Sequence, residues 1–185
     1  WGYEEINLNL GCPSKTVVTK GKGSGFLAKP EELKLFLTEI FDALSGEVKI
    51  SVKTRIGKED PEEFPALLEL FNKYPMEELI IHPRVKKDFY KNTPNLEAFG
   101  EALAISKNSV CYNGDIFSAD DFKRIHAQFP NVECFMMGRG ILADPSLARE
   151  IRGGKAADQS DIRRFHDLLY HTYREEVSGD RNVLF

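Results

Sequence analysis

Residues 5–27, EINLNLGCPSKTVVTKGKGSGFL, decide the fold that this sequence predicts. The stretch opens as a strand, Glu5–Leu10, with apolar residues at its even positions and polar residues at its odd positions. A glycine, Cys12 and Pro13 then end the strand, because glycine permits a tight turn and proline lacks an N–H group. A loop rich in lysine and glycine follows, and Pro30 opens a helix. Because α/β proteins place their chemistry at the carboxyl ends of strands, Cys12 lies where a reactive group is expected.

The cysteines support two readings of this thiol. A single cysteine is often only a small buried apolar residue. Cys12, however, follows an Asn-x-Gly turn beside a cationic loop, which favours a thiol that handles protons. The chain has three scattered cysteines, Cys12, Cys111 and Cys134, without a C-x-x-C pair. That pattern predicts no disulfide framework and no metal site, and it favours a reducing, cytoplasmic location.

Length and composition indicate a globular protein. At 185 residues the chain can hold one ordinary domain and a small appendage. It contains no apolar run near the roughly 20 residues of a membrane span, and we expect no membrane association. The sequence opens with Trp-Gly-Tyr-Glu-Glu, which does not resemble a secretion signal.

The distribution of charge is more informative than the net charge of −4. Residues 14–29 carry four lysines and no acid, and residues 84–91 carry four basic residues against one aspartate. Both stretches follow predicted strands, so we expect them on the same rim. A cationic rim on an acidic body is compatible with a phosphate-rich substrate. Lysine-rich loops that serve only solubility are the alternative, and the sequence leaves both open.

A strand followed by a helix recurs five times along the chain. The predicted strands are Glu5–Leu10, Val48–Thr54, Glu78–His82, Ser109–Asn113 and Cys134–Met137. The predicted helices are Pro30–Leu44, Pro61–Lys73, Leu96–Ile105, Ser118–Phe129 and Pro145–Arg152. Ser118 is the predicted N-cap of the fourth helix. Five βα units predict a parallel sheet with right-handed crossovers. Gly153-Gly154 ends this region, and a helix over Ile162–Glu176, capped by Ser160-Asp161, begins a second element.

Five strands do not close a barrel of eight. Because the sequence also does not begin with Met, we expect a piece of a longer protein, which lacks about three βα units at its amino end.

Polar residues end each predicted strand. Alternation places Lys53 on an inward face, where burying its charge costs free energy unless the ammonium meets an anion or an electron-rich ring. The alternative is that the strand frays at this end and the lysine reaches water. The next strand ends in His82, with Arg84 two residues on, and this pair is a candidate for binding a phosphate or cofactor; a structural histidine is the alternative. Residues 113–115 (Asn-Gly-Asp) and 138–140 (Gly-Arg-Gly) fit a phosphate cradle. A phosphate site with an inward lysine and histidine suggests flavin mononucleotide.

These motifs, taken in order, resemble those of the tRNA-dihydrouridine synthases. The matching motifs are Asn-Leu-Gly-Cys-Pro-Ser-Lys, Gly-x-Gly-Ser-Gly-Phe-Leu, Ser-Val-Lys-x-Arg, His-x-Arg, Asn-Gly-Asp and Gly-Arg-Gly, followed by Phe-His-Asp at 165–167 and Gly-Asp-Arg-Asn at 179–182. The resemblance implies an α/β fold of the TIM-type (β/α)8 barrel class, here partial with about five βα units. It implies a flavin-binding barrel domain over residues 1–154 and the beginning of a helical tRNA-binding domain over residues 158–185.

The resemblance also implies an activity and a set of site residues. In this family a flavin reduced by NADPH delivers hydride to C6 of a tRNA uracil, and a cysteine gives the proton to C5. By resemblance, Cys12 is that acid. The residues implied to hold FMN are Lys53, His82, Asn113, Gly114, Asp115, Gly138 and Arg139. The residues implied to face the extruded uridine or its phosphates are Asn9, Arg84 and Tyr90.

Some features depart from the family pattern and leave alternatives open. Pro83 follows His82 where the family more often has glycine, and residues 158–185 carry four arginines against six acids. The chain could instead be a flavin barrel that reduces a free pyrimidine. It could also be an inactive fragment that pairs with another chain through an exposed sheet edge. The sequence predicts neither the target uridine, nor NADPH over NADH, nor the oligomeric state.

Overall fold

A computed structural model describes residues 2–44 and 46–177 of the chain, and it contains the five predicted strands. The strands are β1 (Glu5–Leu10), β2 (Lys49–Arg55), β3 (Leu79–His82), β4 (Val110–Asn113) and β5 (Cys134–Met136). The α-helices are α1 (Lys15–Val18), α2 (Pro30–Leu44), α3 (Phe64–Phe71), α4 (Leu96–Ile105), α5 (Ala119–Gln128), α6 (Arg139–Ala143), α7 (Leu147–Ile151) and α8 (Gln159–Glu176). No helix in these ranges is both long enough and apolar enough to cross a bilayer.

The strands form one parallel sheet in the order β1-β2-β3-β4-β5. Each strand therefore pairs with the next one in the chain, and right-handed crossovers then put the connecting helices on one face. In keeping with this, α2 packs on α3 and α3 packs on α4. Consecutive order with helices on one face is the arrangement of part of a TIM-type barrel, rather than of a doubly wound sheet. The predicted fold class is confirmed.

Alternation along the strands separates an apolar face from a polar one. Val52, Leu79 and Ile81 are fully buried, as are Leu33 and Leu37 of α2. Because successive side chains point to opposite faces, the intervening positions of the strands are free to carry polar groups. The apolar core thus fixes the sheet and leaves its other face for chemistry.

The structure differs from the predicted elements at three places. The lysine-rich stretch is not only a loop, because it contains α1 and a 3₁₀ turn over Gly23–Ala28. The helix predicted over Pro145–Arg152 is present as the shorter α7, and α6, which the sequence did not predict, precedes Pro145. The last helix begins at Gln159, and its cap is Asp158 rather than Ser160-Asp161.

The N-caps follow from side-chain chemistry. The Asp158 carboxylate accepts hydrogen bonds from the N–H groups of Ser160 (2.9 Å) and Asp161 (3.0 Å). The predicted Ser118 cap is confirmed, because its hydroxyl accepts a 3.1 Å hydrogen bond from the N–H of Asp121. Each cap satisfies N–H groups that the first helical turn leaves without a partner.

The described residues fall into two compact units. One contains the described parts of 1–115 and 125–137, and the other those of 116–124 and 138–185. All five strands belong to the first unit, whereas α6, α7 and α8 belong to the second. The predicted domain ranges, 1–154 and 158–185, stay predictions.

Candidate active site

The register of the sheet brings the polar strand ends together. Asn9 pairs with Lys53 across β1 and β2, and Arg55 pairs with His82 across β2 and β3. Because all strands are parallel, their carboxyl ends lie along one edge. The Lys53 ammonium reaches across this edge and donates to the Asn113 side-chain oxygen over 2.6 Å. Two residues predicted from separate motifs are therefore in direct contact.

Lys53 is an inward cation that meets an amide. Its side chain is partly buried, and burial, with a smaller contribution from the nearby Arg55 charge, lowers the pKa of Lys53 to about 8. Asn113 is itself held, because its amide nitrogen donates to the backbone oxygen of Met136 over 2.8 Å. A desolvated ammonium beside a neutral acceptor gains free energy when an anion or an electron-rich ring is placed next to it.

His82 is buried and neutral. Burial is the main cause that lowers its pKa to about 3, and the charges of Arg55, Lys53 and Arg84 act in the same direction. Nη1 of Arg84 lies 3.1 Å from Nε2 of the ring. Because a guanidinium can only donate, Nε2 is the acceptor and the proton is on Nδ1. His82 therefore offers an N–H donor rather than a positive charge.

Arg84 is fully buried and its donors are used within the protein. It makes a bidentate pair with Asp115, at 3.0 Å (Nη1–Oδ1) and 2.5 Å (Nη2–Oδ2), and its Nε donates to the Asn92 backbone oxygen over 2.5 Å. These bonds fix Asp115 and the His82 tautomer, so the structure assigns Arg84 a positioning role. The predicted contact of Arg84 with substrate stays a prediction.

Cys12 sits in a turn that its neighbours hold rigidly. The Asn9 side-chain oxygen accepts hydrogen bonds from the N–H groups of Gly11 (3.1 Å) and Cys12 (3.0 Å). The Cys12 carbonyl accepts from both the N–H (3.1 Å) and the hydroxyl (2.8 Å) of Ser24. Gly23 has φ +54°, and a Cβ there would lie 2.8 Å from the Cys12 oxygen. The Cys12 thiol forms no disulfide and is half-buried, and hydrogen bonds on both sides hold the backbone of this residue.

Arg55 is a residue that the sequence predictions did not include in the site. It is 1 % exposed and donates to three backbone oxygens, those of Gly11 (3.1 Å), Val85 (2.8 Å) and Phe89 (2.6 Å). It thereby ties the turn before Cys12 to the loop after β3. The signal that could have found it was the Ser-Val-Lys-x-Arg alternation, which puts Arg55 on the same face as Lys53.

The remaining predicted residues occupy varied places. The Tyr90 ring is half exposed and lies 6.1 Å from the His82 ring and 5.5 Å from the Arg55 guanidinium carbon. A Cβ at Gly114 would approach the Tyr112 hydroxyl oxygen to 2.1 Å, so the site tolerates only glycine there. Gly138 and Arg139 are exposed members of the second unit.

The lysine-rich stretch after Cys12 presents its charge to solvent. Lys15, Lys20 and Lys22 are exposed or half-exposed. Lys29 is also exposed and forms an ion pair of 2.9 Å with Glu32. Exposed lysines are mobile point charges that can meet phosphates without large desolvation cost.

These features define part of an α/β-barrel protein whose carboxyl-end rim carries a thiol, an inward lysine and a neutral histidine. Comparison with known families identifies it further: the dihydrouridine synthase (Dus) family model matches residues 1–178, and the chain belongs to this family.

Curated relatives agree with that assignment. The chain is 29% identical over 168 residues to a tRNA-dihydrouridine(16) synthase of Pseudomonas putida, covering 91% of this chain and 52% of the relative. It is 30% identical over 156 residues to the Ralstonia nicotianae tRNA-dihydrouridine(16) synthase, covering 84% of this chain and 48% of the relative. It is 29% identical over 183 residues to a probable tRNA-dihydrouridine synthase of Staphylococcus aureus, covering 95% and 54%. The chain spans about half the length of these relatives.

Proposed function

We propose that the protein to which this chain belongs reduces uridine in tRNA to 5,6-dihydrouridine, with FMN as cofactor and NADPH as reductant. Membership of the dihydrouridine synthase family supports the reaction class. The observation that carries the proposal is the rigid turn that holds a free thiol at the carboxyl edge of the sheet, the edge that also carries Lys53 and His82.

In this proposal Cys12 is the acid. Reduction of the 5,6 double bond requires a proton at C5 of the uracil, and the Cys12 Sγ would supply it. A thiol is one of the side-chain groups that can serve as a general acid. Asn9 and Ser24 hold the backbone on either side of the sulfur, so little ordering remains to be done when the substrate arrives.

The residues of this edge fit a flavin. The group, when bound, supplies the hydride that C6 accepts. Lys53 would place its ammonium against the electron-rich ring, and Asn113 holds that ammonium in place. His82 is fixed as the Nδ1–H tautomer and would donate a hydrogen bond without adding a second charge. Gly114, between Asn113 and Asp115, would contribute its backbone, because Tyr112 leaves no room for a side chain there. The predicted roles of Gly138 and Arg139 toward the phosphate are part of the same proposal.

The exposed lysines of the loop after Cys12 would grip the tRNA backbone. A uridine in a folded RNA must leave its stack before the half-buried thiol can reach it, which costs free energy that phosphate contacts can offset. Lys20 and Lys22 present their charges to solvent beside that turn. The ring of Tyr90, which is half exposed and lies next to His82, would stack on a base.

The test uses the whole protein and tRNA that lacks dihydrouridine. We expect NADPH oxidation that depends on this tRNA, and dihydrouridine in the product. Cys12→Ala should remove product while the bound flavin, read from its visible absorbance, is unchanged. Thr16→Ala, at an exposed position of α1, is the control and should keep full activity.

Two outcomes would refute the proposal. If Cys12→Ala still forms dihydrouridine at the control rate, the thiol is not the acid. If the whole protein carries no flavin and oxidises no NADPH with tRNA, the reaction class is wrong.

A second measurement separates tRNA from a free pyrimidine as substrate. Lys20→Glu together with Lys22→Glu should weaken tRNA binding and lower the slope of log affinity against log salt by about one for each phosphate that a lysine no longer neutralises. A free base does not need this loop. An enzyme that reduces free uracil, with activity unaffected by the charge reversal, would favour the alternative reading.

A further inference from the structure

Three potential metal ligands meet near the amino ends of β3, β4 and β5, on the face of the sheet that also carries Lys53. Glu78 immediately precedes β3, Cys111 is the second residue of β4, and Cys134 opens β5. Their carboxylate oxygen and two sulfurs all lie within 4.8 Å of one another. None of these residues belongs to the site proposed for flavin or tRNA.

The register explains why the three ligands converge. Cys111 pairs with Cys134 across β4 and β5, and Ile80 pairs with Cys111 across β3 and β4. Paired residues on neighbouring parallel strands project to the same face about 4.8 Å apart. Glu78 is two residues before Ile80, so alternation puts it on that face as well. The strands that carry the ligands are hydrogen-bonded to each other, so the cluster is built on rigid elements.

We propose that Glu78, Cys111 and Cys134 form a site for a zinc-type divalent cation. Two thiolates with one carboxylate favour a borderline-soft ion and disfavour magnesium and calcium, which prefer oxygen ligands alone. In a tetrahedral zinc site, ligand atoms about 2.0–2.3 Å from the metal are about 3.5–3.8 Å from each other. The observed separations of up to 4.8 Å therefore need only a small contraction, which rotation about side-chain bonds can supply.

The surroundings attract cations and leave room for a fourth ligand. Glu78 and Cys134 line a cavity of about 530 Å³ together with Glu5, Glu77 and Glu133. Among the described residues that line this cavity there is no lysine or arginine. Lys49 forms an ion pair with Glu77, with 2.6 Å between Nζ and Oε1. The Glu5 carboxylate accepts a hydrogen bond from the Ser51 hydroxyl. Glu133 takes part in neither of these contacts. A wall of one sign raises the local concentration of a divalent ion.

The position indicates a structural role. In barrel proteins the amino ends of the strands contribute stability, whereas the carboxyl ends carry the chemistry. A cation held by residues of three adjacent strands would clamp β3, β4 and β5 together. An ion that binds only the folded chain raises the midpoint of thermal unfolding as its concentration rises above its dissociation constant.

The experiment uses the 185-residue chain, kept reduced with a phosphine and freed of metal with a chelator. Zinc is titrated by calorimetry, and cobalt(II) is used to observe thiolate-to-metal charge-transfer absorption. We expect one ion per chain, the thiolate bands with cobalt, and a rise in the thermal midpoint with zinc. Cys134 is exposed and Glu78 is half-buried, so Cys134→Ser and Glu78→Gln should both fold, and each should weaken binding roughly tenfold or more.

Two matched variants serve as controls. Glu101→Gln removes an exposed carboxylate that does not line this cavity, and Cys12→Ser removes a thiol elsewhere, so both should keep the affinity and the cobalt bands. The proposal is overturned if the chain binds no zinc, or if cobalt gives no thiolate bands. It is equally overturned if Cys134→Ser and Glu78→Gln bind as tightly as the unaltered chain, or no more weakly than the two controls.

Discussion

Replacing Arg55 by methionine removes a buried cation that holds three backbone oxygens, and we expect a large loss of stability. A hydrogen bond from a charged donor contributes about 1.5–3 kcal/mol, and the lower value is appropriate near a rim where water can replace the donor. Three such bonds give a gross loss of about 4.5 kcal/mol. The substitution also removes the free-energy cost of burying the guanidinium charge, about 1–2 kcal/mol. The net loss in the free energy of unfolding is therefore about 3 kcal/mol. For a chain of this size, that lowers the thermal midpoint by about 6–12 °C.

Urea unfolding followed by circular dichroism measures this loss of stability. The control is Lys49→Met, which makes the same kind of change at the first residue of the same strand. Lys49 is an exposed residue paired with Glu77, and its replacement should cost less than about 1 kcal/mol. If Arg55→Met costs no more than Lys49→Met, the conclusion that Arg55 ties the turn before Cys12 to the loop after β3 is refuted.

Two further predictions concern His82 and the turn at Cys12. Because the folded-state pKa of His82 lies near 3, below the ordinary 6.5, its contribution to stability is complete above pH 6.5 and is lost as the pH falls. We expect urea unfolding to show about 3 kcal/mol of loss between pH 6.5 and pH 4, and His82→Gln to flatten that slope; an unchanged slope would contradict the burial of a neutral ring. Gly23→Ala should cost about 2–3 kcal/mol, because it adds a clash with the Cys12 oxygen to an unfavourable φ. Gly46→Ala, at φ +79° with nothing near the added Cβ, should cost only about 1 kcal/mol in the same measurement, and equal losses would exclude the clash.

The strands could be predicted because their periodicity is a local property. Alternation over Glu5–Leu10 gives the observed strand, and the turn residues after it mark its end. The region after β5 could not be predicted in the same way. Gly140 reads as a loop residue, since glycine is a poor helix former, yet it lies in α6. A Cβ there would approach the Ile116 oxygen to 2.0 Å, so packing rather than propensity explains the glycine.

The candidate site was predictable as far as parallel strands guarantee that their ends meet. That rule is enough to expect Lys53 near Asn113, and the structure places them in contact. It does not reveal what a buried arginine binds. The acceptors of Arg55 are backbone oxygens, which carry no side-chain signal, and the burial of Arg84 depends on a carboxylate in another loop. The cluster of Glu78, Cys111 and Cys134 depends on strand register, which motif spacing does not encode.

Two buried arginines from neighbouring strand ends share a single loop. Arg55 holds the oxygens of Val85 and Phe89, and Arg84 holds the oxygen of Asn92, so residues 85–92 cannot lift away until both guanidinium groups release them. The amide protons of this segment should therefore exchange with deuterated solvent as one cooperative group rather than fray from one end. A loop that opens only as a whole behaves as a latch, and the two side chains that hold it also contact the Gly11 oxygen before Cys12 and the carboxylate of Asp115.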